Sequence, residues 1–576
     1  MGPLKGGVMR LFLLFVTCFL LWTPTVALAC GGFFCNSATP VNQAAERILF
    51  ARDGDQIEMH VQITYSGPAV DFGWILPAAA DVETTVSTNS LFTRLDQRFA
   101  PRFRLLTEFE PGCDFPVAFD EAEQGGDGDP GAVPDGEPSP PSVNVLSREV
   151  VGPFDRVILQ ADNVDVLFDW LQTNEFQIPA MAAAALEPYI ETSVFVAIKL
   201  LPGNDSADIR PLRLRFTAPA PSIPLRPTQV AADPDMGIIV YLLGSGRGIA
   251  TNYRHVTVNE AAIRWERGGS NYADVVSQAV DEAGGQAFVT DYAGLHEDRT
   301  EALFTLGLNL EELAEVRTLA GLVEYASALR SPDLLDLVRA VISPPEGVSV
   351  DEVLQCPFCY EADSIAVDGA ALVARIEAEL LPIWEDLTAL FEAHPVLTRL
   401  YSTMSPTEMT VDPAFDFNAD LAYIDNVREA VRFIACVDGQ PDFANARITT
   451  PSGLEYVLED GDNPSAIERQ MGETVRGMEA MGAETVEQQF VAGQSEIETD
   501  NRLMLEDQHP RMMGAGADGM GGADGAGGTA AGTGGGSSSG AGCGCHVNES
   551  GPLGSALLVL LVLGAFRRRR SGRDES

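Results

Sequence analysis

Basic side chains are scarce in this chain of 576 residues, and lysine is almost missing. Lysine occurs only at Lys5 and Lys199, which removes most options for a lysine nucleophile or a Schiff base. The chain carries 83 acidic against 37 basic residues, which gives a formal net charge of −46. A surface this acidic repels a phosphate backbone and gains nothing from counterion release, so the sequence predicts no nucleic-acid partner.

Histidine is also scarce, and its spacing shows no metalloprotease signature. The six histidines are His60, His255, His296, His394, His509 and His546. No two of them form an H-E-x-x-H pattern, which argues against a zinc protease. His60 falls on the polar face of an alternating segment, where we expect an exposed side chain rather than a catalytic base.

Long apolar runs occur only at the two ends of the chain. The N-terminal run, Leu11–Trp22, follows two basic residues and precedes small residues at Ala27 and Ala29. This arrangement is typical of a secretory signal cleaved before Cys30, so we expect an exported chain and signal peptidase as a partner. Lipidation of Cys30 is the alternative, but a lipobox has leucine three residues before the cysteine, where this chain has Ala27.

The C-terminal run, Leu553–Phe566, is short for a transmembrane helix, which needs about 20 apolar residues. It follows a Gly/Ser-rich linker at 509–550 and precedes an arginine tail, which the positive-inside rule places in the cytoplasm. We interpret 551–576 as a sorting segment that is processed on the way to the cell surface or outer membrane. The alternative is a membrane anchor that leaves the main domains facing the periplasm. The predicted processing residues are Cys543, Cys545, Arg567, Arg568, Arg569 and Arg570.

Six cysteines remain once the signal peptide and the tail are set aside. They are Cys30, Cys35, Cys113, Cys356, Cys359 and Cys436. An even number in an exported chain indicates up to three disulfides, and sequence alone leaves about 15 pairings open. We predict two local pairs, Cys30 with Cys35 and Cys356 with Cys359, and a long-range pair of Cys113 with Cys436.

The pair Cys356 and Cys359 forms a C-x-x-C sequence, which is also the pattern of thiol-disulfide oxidoreductases. Redox activity requires the first cysteine at the start of a helix that follows a buried strand. Here Ser349 and Glu352 form a capping box for a short helix before the cysteines, which favours a structural disulfide.

Alternating hydrophobicity predicts strands in the first half of the chain. Gln56–Tyr65 alternates strictly, as a half-buried antiparallel strand does, and Arg47–Ala51 completes a hairpin through the Asp53-Gly54 turn. Further predicted elements are strands at Asp71–Leu76, Ser193–Leu201, Leu212–Thr217, Gly237–Leu243 and Tyr253–Val258, and helices near Val164–Leu171 and Ala180–Pro188. Residues 30–265 are therefore predicted to form an α+β antiparallel-sheet domain, with a disordered acidic loop near 120–142.

The hydrophobic period becomes helical after residue 266, so we predict a mainly helical region over 266–508. The predicted helices are Asn271–Ala283, one from the Asn309 cap to Leu329, one from Ser331, Ala370–Ala393 with a bend at Pro382, and Ser465–Gln489. The fold class predicted for the whole chain is α+β.

The densest carboxylate cluster contains Asp412, Asp416, Asp420 and Asp425. Converging carboxylates bind Ca²⁺ or carry out acid-base hydrolysis. A loop anchored to the core by Phe415 and Phe417 is the simpler interpretation. We retain Asp412, Asp416 and Asp420 as candidate calcium ligands and predict no other cofactor.

Four segments resemble a bacterial domain-of-unknown-function family, family 2330. They are Ala29–Cys35 (Ala-Cys-Gly-Gly-Phe-Phe-Cys), Asn42–Phe50, Phe72–Pro77 and Ser405–Pro413. The resemblance implies an exported, disulfide-containing domain of bacterial envelopes and carries no catalytic residues. The C-terminal segment resembles the myxobacterial sorting signal MYXO-CTERM, which implies a sorting protease acting near Cys543 or Cys545.

These features together predict an exported, acidic protein of the cell envelope or cell surface. We expect a non-enzymatic binding or scaffolding role with an unknown ligand. The alternative is an envelope enzyme, either a thiol-disulfide oxidoreductase at Cys356 and Cys359 or a carboxylate-based hydrolase near Asp412 and Asp416.

Overall fold

A computed structural model of the chain describes the main body of the protein. The described residues are 42–66, 72–111, 144–176, 182–202, 204, 209–300, 303–304, 307–323, 325, 332–356, 359–457 and 481–508. The predicted signal peptide, the acidic loop near 120–142, the linker and the sorting segment lie outside them, as do Cys30, Cys35, Cys113, Cys543, Cys545 and Arg567–Arg570. Within the described ranges, no helix has the length and apolar character needed to cross a membrane.

Twenty-four strands are found in the described part of the chain. They are β1 Asn42–Asp53, β2 Gln56–Ser66, β3 Gly73–Ala78, β4 Glu83–Val86, β5 Arg102–Phe109, β6 Asn144–Val151, β7 Phe154–Gln160, β8 Val194–Leu200, β9 Leu212–Thr217, β10 Ala232–Gly244, β11 Arg247–Ala250, β12 Arg254–Val258, β13 Ala287–Leu295, β14 Ile342–Ser343, β15 Ala366–Val367, β16 Val396–Met404, β17 Phe415–Asn418, β18 Val427–Ile434, β19 Cys436–Val437, β20 Gln440–Pro441, β21 Arg447–Thr449, β22 Glu455–Val457, β23 Ala483–Gln488 and β24 Glu496–Asp500.

The α-helices of the described residues are mostly short, and many lie between β13 and β16. They are α1 Asn89–Phe99, α2 Val164–Thr173, α3 Ala182–Leu186, α4 Leu225–Thr228, α5 Tyr272–Glu282, α6 Glu297–Thr300, α7 Leu310–Ala314, α8 Leu319–Val323, α9 Pro332–Arg339, α10 Val350–Gln355, α11 Gly369–Arg375, α12 Leu381–Ala393 and α13 Arg502–Gln508. A π-helical turn, Ile376–Leu380, joins α11 to α12 just before Pro382, so the helical hydrogen-bond pattern is irregular next to that proline, and the bend itself stays a prediction.

A ten-stranded mixed sheet forms the centre of the fold, in the order β24-β23-β12-β13-β16-β10-β1-β2-β9-β4. Its first hairpin joins β1 to β2 through Gly54, whose φ of +61° suits the tight turn. β1 also pairs in parallel with β10, and β10 pairs antiparallel with β16. The α+β class predicted from the sequence is confirmed.

Both faces of this sheet are buried at its central strands, where successive residues point to opposite sides. Phe50 and Leu242 face a first core, which the four-stranded sheet β3-β8-β7-β6 covers with residues such as Trp74. Leu49 and Leu243 face a second core on the opposite side.

Helices cover that second core. Leu95 of α1 and Trp384 of α12 pack against the sheet there, and both are almost completely buried. A third core lies between α5 and strands such as β12 and β18, and includes Trp265. The large sheet is therefore a central layer rather than a solvent-exposed surface.

The structure differs from the predicted elements in several places. The helix expected from Asn309 to Leu329 is interrupted, because α7 ends at Ala314 and α8 begins at Leu319. The helix expected to end at Gln489 is wrong over its last part, because β23 pairs with β12 and β24 there. Strands β13 and β16 also join the large sheet, so the predicted boundary near residue 265 does not divide it.

Candidate functional sites

Three buried polar side chains form a chain of hydrogen bonds on the helix-covered face of the sheet. Nδ1 of His60 lies 2.7 Å from Oγ of Ser87, and Nε2 of His60 lies 3.0 Å from a carboxylate oxygen of Glu58. Because an ionised carboxylate only accepts, we assign the imidazole proton to Nε2, and Nδ1 then accepts from the Ser87 hydroxyl. Serine, imidazole and carboxylate follow one another in the order of a hydrolase triad.

The described part of the chain leaves this trio no open face for a substrate. Ser87 is 0% exposed and His60 is 1% exposed. The Glu58 carboxylate also accepts from Nε of Arg213 and Nε of Arg215, both at 2.7 Å. Burial opposes ionisation of Glu58, but the hydrogen bonds from His60 and Arg213 hold its pKa well below the ordinary value. The arrangement therefore has the features of a buried structural network.

The expectation that His60 is exposed was wrong. Gln56–Tyr65 alternates as predicted, yet the middle of its polar face, at Glu58 and His60, is buried as well as its apolar face. Arg213 binds both Glu58 of β2 and Asp386 of α12. Helix α12 follows β2 in the chain by more than 300 residues. Glu58 and His60 are buried because they pair with each other and with these arginines, whereas Gln56 and Thr64 of the same face are exposed.

We expect the stability of the protein to fall as the pH drops below about 6.5, in part through His60. Burial lowers the pKa of His60 below 6.5, so the unfolded chain binds a proton that the folded chain rejects. The contribution of His60 to the free energy of unfolding is fully present above pH 6.5. It decreases as the pH falls towards the pKa of His60 in the folded state, by at most about 1.4 kcal/mol per pH unit.

Urea denaturation of the wild type and of His60→Gln at pH 7.5 and at pH 5.5 measures this effect. The wild-type midpoint should drop more than the variant's midpoint over this interval. Burial lowers the pKa of His255 in the same direction, so a residual drop in the variant is expected. Equal drops in both proteins would contradict the assignment to His60.

The structure confirms one of the predicted disulfides. Cys356 and Cys359 are bonded, with an S–S distance of 1.98 Å. The Ser349–Glu352 capping box is present, and Cys356 is the C-cap of α10. A helix C-terminus disfavours a thiolate, whereas redox-active cysteines are found near helix N-termini.

Cys436 is also disulfide-bonded. The two other described cysteines are bonded to each other, so the partner of Cys436 lies outside the described residues. The predicted pairing with Cys113 and the pairing of Cys30 with Cys35 stay predictions.

The predicted calcium ligands are held by separate partners. Asp412 accepts from the Tyr189 hydroxyl at 2.6 Å, and Asp416 accepts from Nη1 of Arg52 at 3.0 Å. Asp420 accepts from the backbone N–H of Gly493 at 2.8 Å.

No group of three or more metal-binding side chains is found within the described ranges. The segment around Asp416 is a strand rather than the expected loop, because β17 pairs with β11. Phe415 is completely buried in the first core, as its predicted anchoring role requires. The calcium site stays a prediction.

A second polar cluster surrounds a cavity of about 50 Å³ between β12, β13 and β18. His255, Thr290 and Arg428 line this cavity. Nε2 of His255 lies 3.1 Å from Oγ1 of Thr290 and 3.4 Å from Nη2 of Arg247. Burial, followed by the charges of Arg247 and Arg428, lowers the pKa of His255 well below 6.5, so its imidazole is neutral.

Sequence reasoning missed both polar clusters. Thr290 and Arg428 lie on strands that are far apart in sequence, and nothing local marks either residue as a neighbour of His255. The Glu58-x-His60 spacing was a usable signal, since two polar residues two positions apart share one face of a strand. The spacing alone does not show whether other elements cover that face and bury the two residues.

The described chain is therefore a disulfide-bonded α+β protein with a buried mixed sheet and a small polar cavity. Residues 24–305 match the model of a family described as an uncharacterized protein conserved in bacteria (DUF2330). The match supports the resemblance found in the sequence and ends before Ser405–Pro413. No curated protein and no solved structure matches the chain.

Proposed function

We propose that the chain is an exported, non-enzymatic protein of the bacterial envelope, processed at both ends and displayed at the cell surface. The observation that carries the proposal is the disulfide bonding of Cys356, Cys359 and Cys436. Disulfides of this kind persist in oxidising compartments and are rare in the cytosol. The signal-like N-terminus and the segment resembling MYXO-CTERM support the same destination.

The non-enzymatic role is supported by how the reactive groups are held. The Ser87–His60–Glu58 trio is buried, and Asp412 and Asp416 have separate partners within the fold. Cys356 occupies the wrong end of a helix for a reactive thiolate. A binding or scaffolding role is compatible with these buried or internally paired groups, because it needs none of them to react.

Peptide mapping and intact mass of the protein recovered from its native envelope test this proposal. We expect a chain that begins at Cys30, lacks the arginine tail and is accessible to protease added to intact cells. A chain that retains its first 29 residues and still ends at Ser576 would contradict processing at both ends.

Two variants separate sorting from folding. Replacing Cys543 and Cys545 together with serine is expected to leave the tail in place and keep the protein away from the surface. Cys356→Ser is the matched control, because it removes a cysteine of the folded body and should be sorted normally. If the wild type, the double serine variant and Cys356→Ser are sorted equally, the tail cysteines have no role in sorting.

A further inference from the structure

Two buried carboxylates lie where the last described segment, residues 481–508, packs against the body of the protein. Glu484 lies on β23, and Glu260 lies in the 3₁₀ turn that follows β12, the strand paired with β23. Glu484 is 7% exposed and Glu260 is 5% exposed. Both contact Ser452, whose N–H donates to Oε2 of Glu260 at 2.7 Å and whose side chain hydrogen-bonds to Glu484. The two carboxylates therefore meet in the seam between this segment and the body.

This seam holds more negative than positive charge. Arg428 lies beside Glu260, but its Nη1 is 3.8 Å from the carboxylate, beyond hydrogen-bond distance. Arg502 attracts Glu484 from α13, yet its guanidinium is already paired with Asp500. Glu260, Glu484 and Asp500 thus face two guanidinium groups, which leaves one negative charge uncompensated.

Glu484 is the carboxylate that suits a proton. Its Oε2 is buried without a hydrogen-bond partner among the described residues, which is costly for an ionised oxygen. Burial raises the pKa of Glu484 to about 7, and the charge of Glu260 raises it further against the hydrogen bond from Ser452. Glu260 is the better place for the charge, because it accepts the Ser452 N–H and lies on the side of Arg428. Ser452 is exposed, so the proton on Glu484 can exchange with solvent.

We propose that a proton on Glu484 holds residues 481–508 onto the body, and that loss of this proton loosens the segment. Without the proton, two negative charges face each other across the seam, and their repulsion weakens the pairing of β23 with β12. Because the docked segment binds the proton more tightly than the released one, docking weakens as the pH rises from about 4.5, the ordinary pKa of a glutamate, to about 7. The segment leads into the linker at 509–550, so its release would lengthen that connection. The switch does not depend on export or surface display.

Two other titratable groups face the same segment. Glu282 of α5 accepts from the N–H groups of Gly482 and Ala483 at 2.6 Å and 2.9 Å, and burial raises its pKa in the same direction as that of Glu484. His255 of β12 lies 4.0 Å from Glu487 of β23, and burial lowers its pKa, so its protonation favours opening at low pH instead. The effect of Glu484 must therefore be measured as a difference between two proteins that share these groups.

Hydrogen exchange of the purified full chain, read by mass spectrometry at pH 5.5 and pH 8, provides that difference. Exchange times are scaled for the intrinsic rate at each pH, and peptides covering β23 and β24 report on the seam. Glu484→Gln is the test variant, because glutamine has the shape of the protonated acid and no charge. Relative to this variant, we expect opening of the segment in the wild type to increase by about tenfold or more between the two pH values.

Glu496→Gln is the matched control, because Glu496 lies on β24 of the same segment but is exposed. It should keep the pH dependence of the wild type. Peptides from β10, in the middle of the large sheet, should show no difference among the proteins. If Glu484→Gln fails to fold, as thermal unfolding would show, Glu260→Gln provides the test, because it removes the repelling charge and keeps an acceptor for the Ser452 N–H.

A weaker pH dependence in Glu484→Gln or Glu260→Gln, with that of the wild type retained in Glu496→Gln, would support the switch. Equal pH dependence in the wild type and Glu484→Gln would overturn it. Protection at pH 8 that is restored by calcium chloride and lost with a chelator would also overturn it, because a cation and not a proton would then neutralise the pair.

Discussion

Replacing Arg399 with methionine is expected to lower the free energy of unfolding by about 3–5 kcal/mol, because it leaves a buried carboxylate without its cation. Nη1 of Arg399 contacts the carboxylate of Asp291, which is 0% exposed. Nη2 of Arg399 also lies 3.2 Å from Asp96 of α1, and Nε lies 3.2 Å from the Tyr241 hydroxyl. The Arg399 guanidinium thus connects its own strand, β16, to β13 and β10 of the sheet and to α1 of the helical layer.

The physical reason for the large effect lies in the burial of Asp291. Burial raises the pKa of Asp291, and the charge of Arg399 opposes this rise. Without Arg399, only the Tyr272 hydroxyl and more distant charges remain to stabilise the ionised form. The carboxylate would then either stay charged in an apolar environment or take up a proton, and both cost free energy.

Guanidinium chloride denaturation of the purified chain measures the change. Arg375→Met is the matched control, because Arg375 forms a half-exposed i,i+4 pair with Glu379 at 2.7 Å on the helix surface. Removing that pair should cost no more than about 0.5 kcal/mol. The double variant Arg399→Met, Asp291→Asn should recover part of the loss, since asparagine needs no cation. A cost for Arg399→Met no larger than that of the control would contradict the prediction.

Local patterns in the sequence predicted the elements whose signal is contained within a few residues. The hairpin of β1 and β2 follows from strict alternation and a glycine at the turn. Ser349 and Glu352 identify the start of α10, because both halves of a capping box lie within four residues. Asn309 identifies the start of α7 for the same reason, since its side chain accepts from the N–H groups of Glu311 and Glu312.

Burial of polar residues could not be predicted in the same way. Alternation shows that Glu58 and His60 share a face of β2, but not that helices from residues 310–393 cover that face. The acidic segment before Gln489 has an amphipathic pattern, yet its last part forms a strand because β12 and β24 offer backbone partners on both sides. Tertiary pairing overrides local propensity in such segments.

The His255 cavity is the clearest case of a site that sequence alone does not reveal. The polar groups that line it or lie next to it come from β11, β12, β13 and β18, so the chain returns to this place four times. Each residue is ordinary in its own segment. Only the assembled structure shows that Arg247, Thr290 and Arg428 surround His255.

Replacing Cys436 with serine is expected to lower the free energy of unfolding by about 2–5 kcal/mol, because the lost bond closes a long loop. We expect its partner to be Cys113. Strands β5 and β18 run parallel, and their last paired residues are Phe109 and Ile434. The N–H of Cys436 donates to the Glu110 side chain at 2.8 Å, which brings Cys436 next to the segment that leads to Cys113.

Peptide mapping without reductant identifies the partner, and denaturant unfolding gives the stability change. Cys356→Ser is the control, since the Cys356–Cys359 bond spans a sequence separation of only 3 and should contribute roughly 2 kcal/mol or less. A peptide that joins Cys436 to Cys30 or Cys35 would contradict the pairing. The expected effect is larger at Cys436 because the loop that its bond closes is much longer. With Cys113 as the partner, the bond joins the ends of β5 and β18, which are roughly 320 residues apart in the chain, and so restricts most of the unfolded chain.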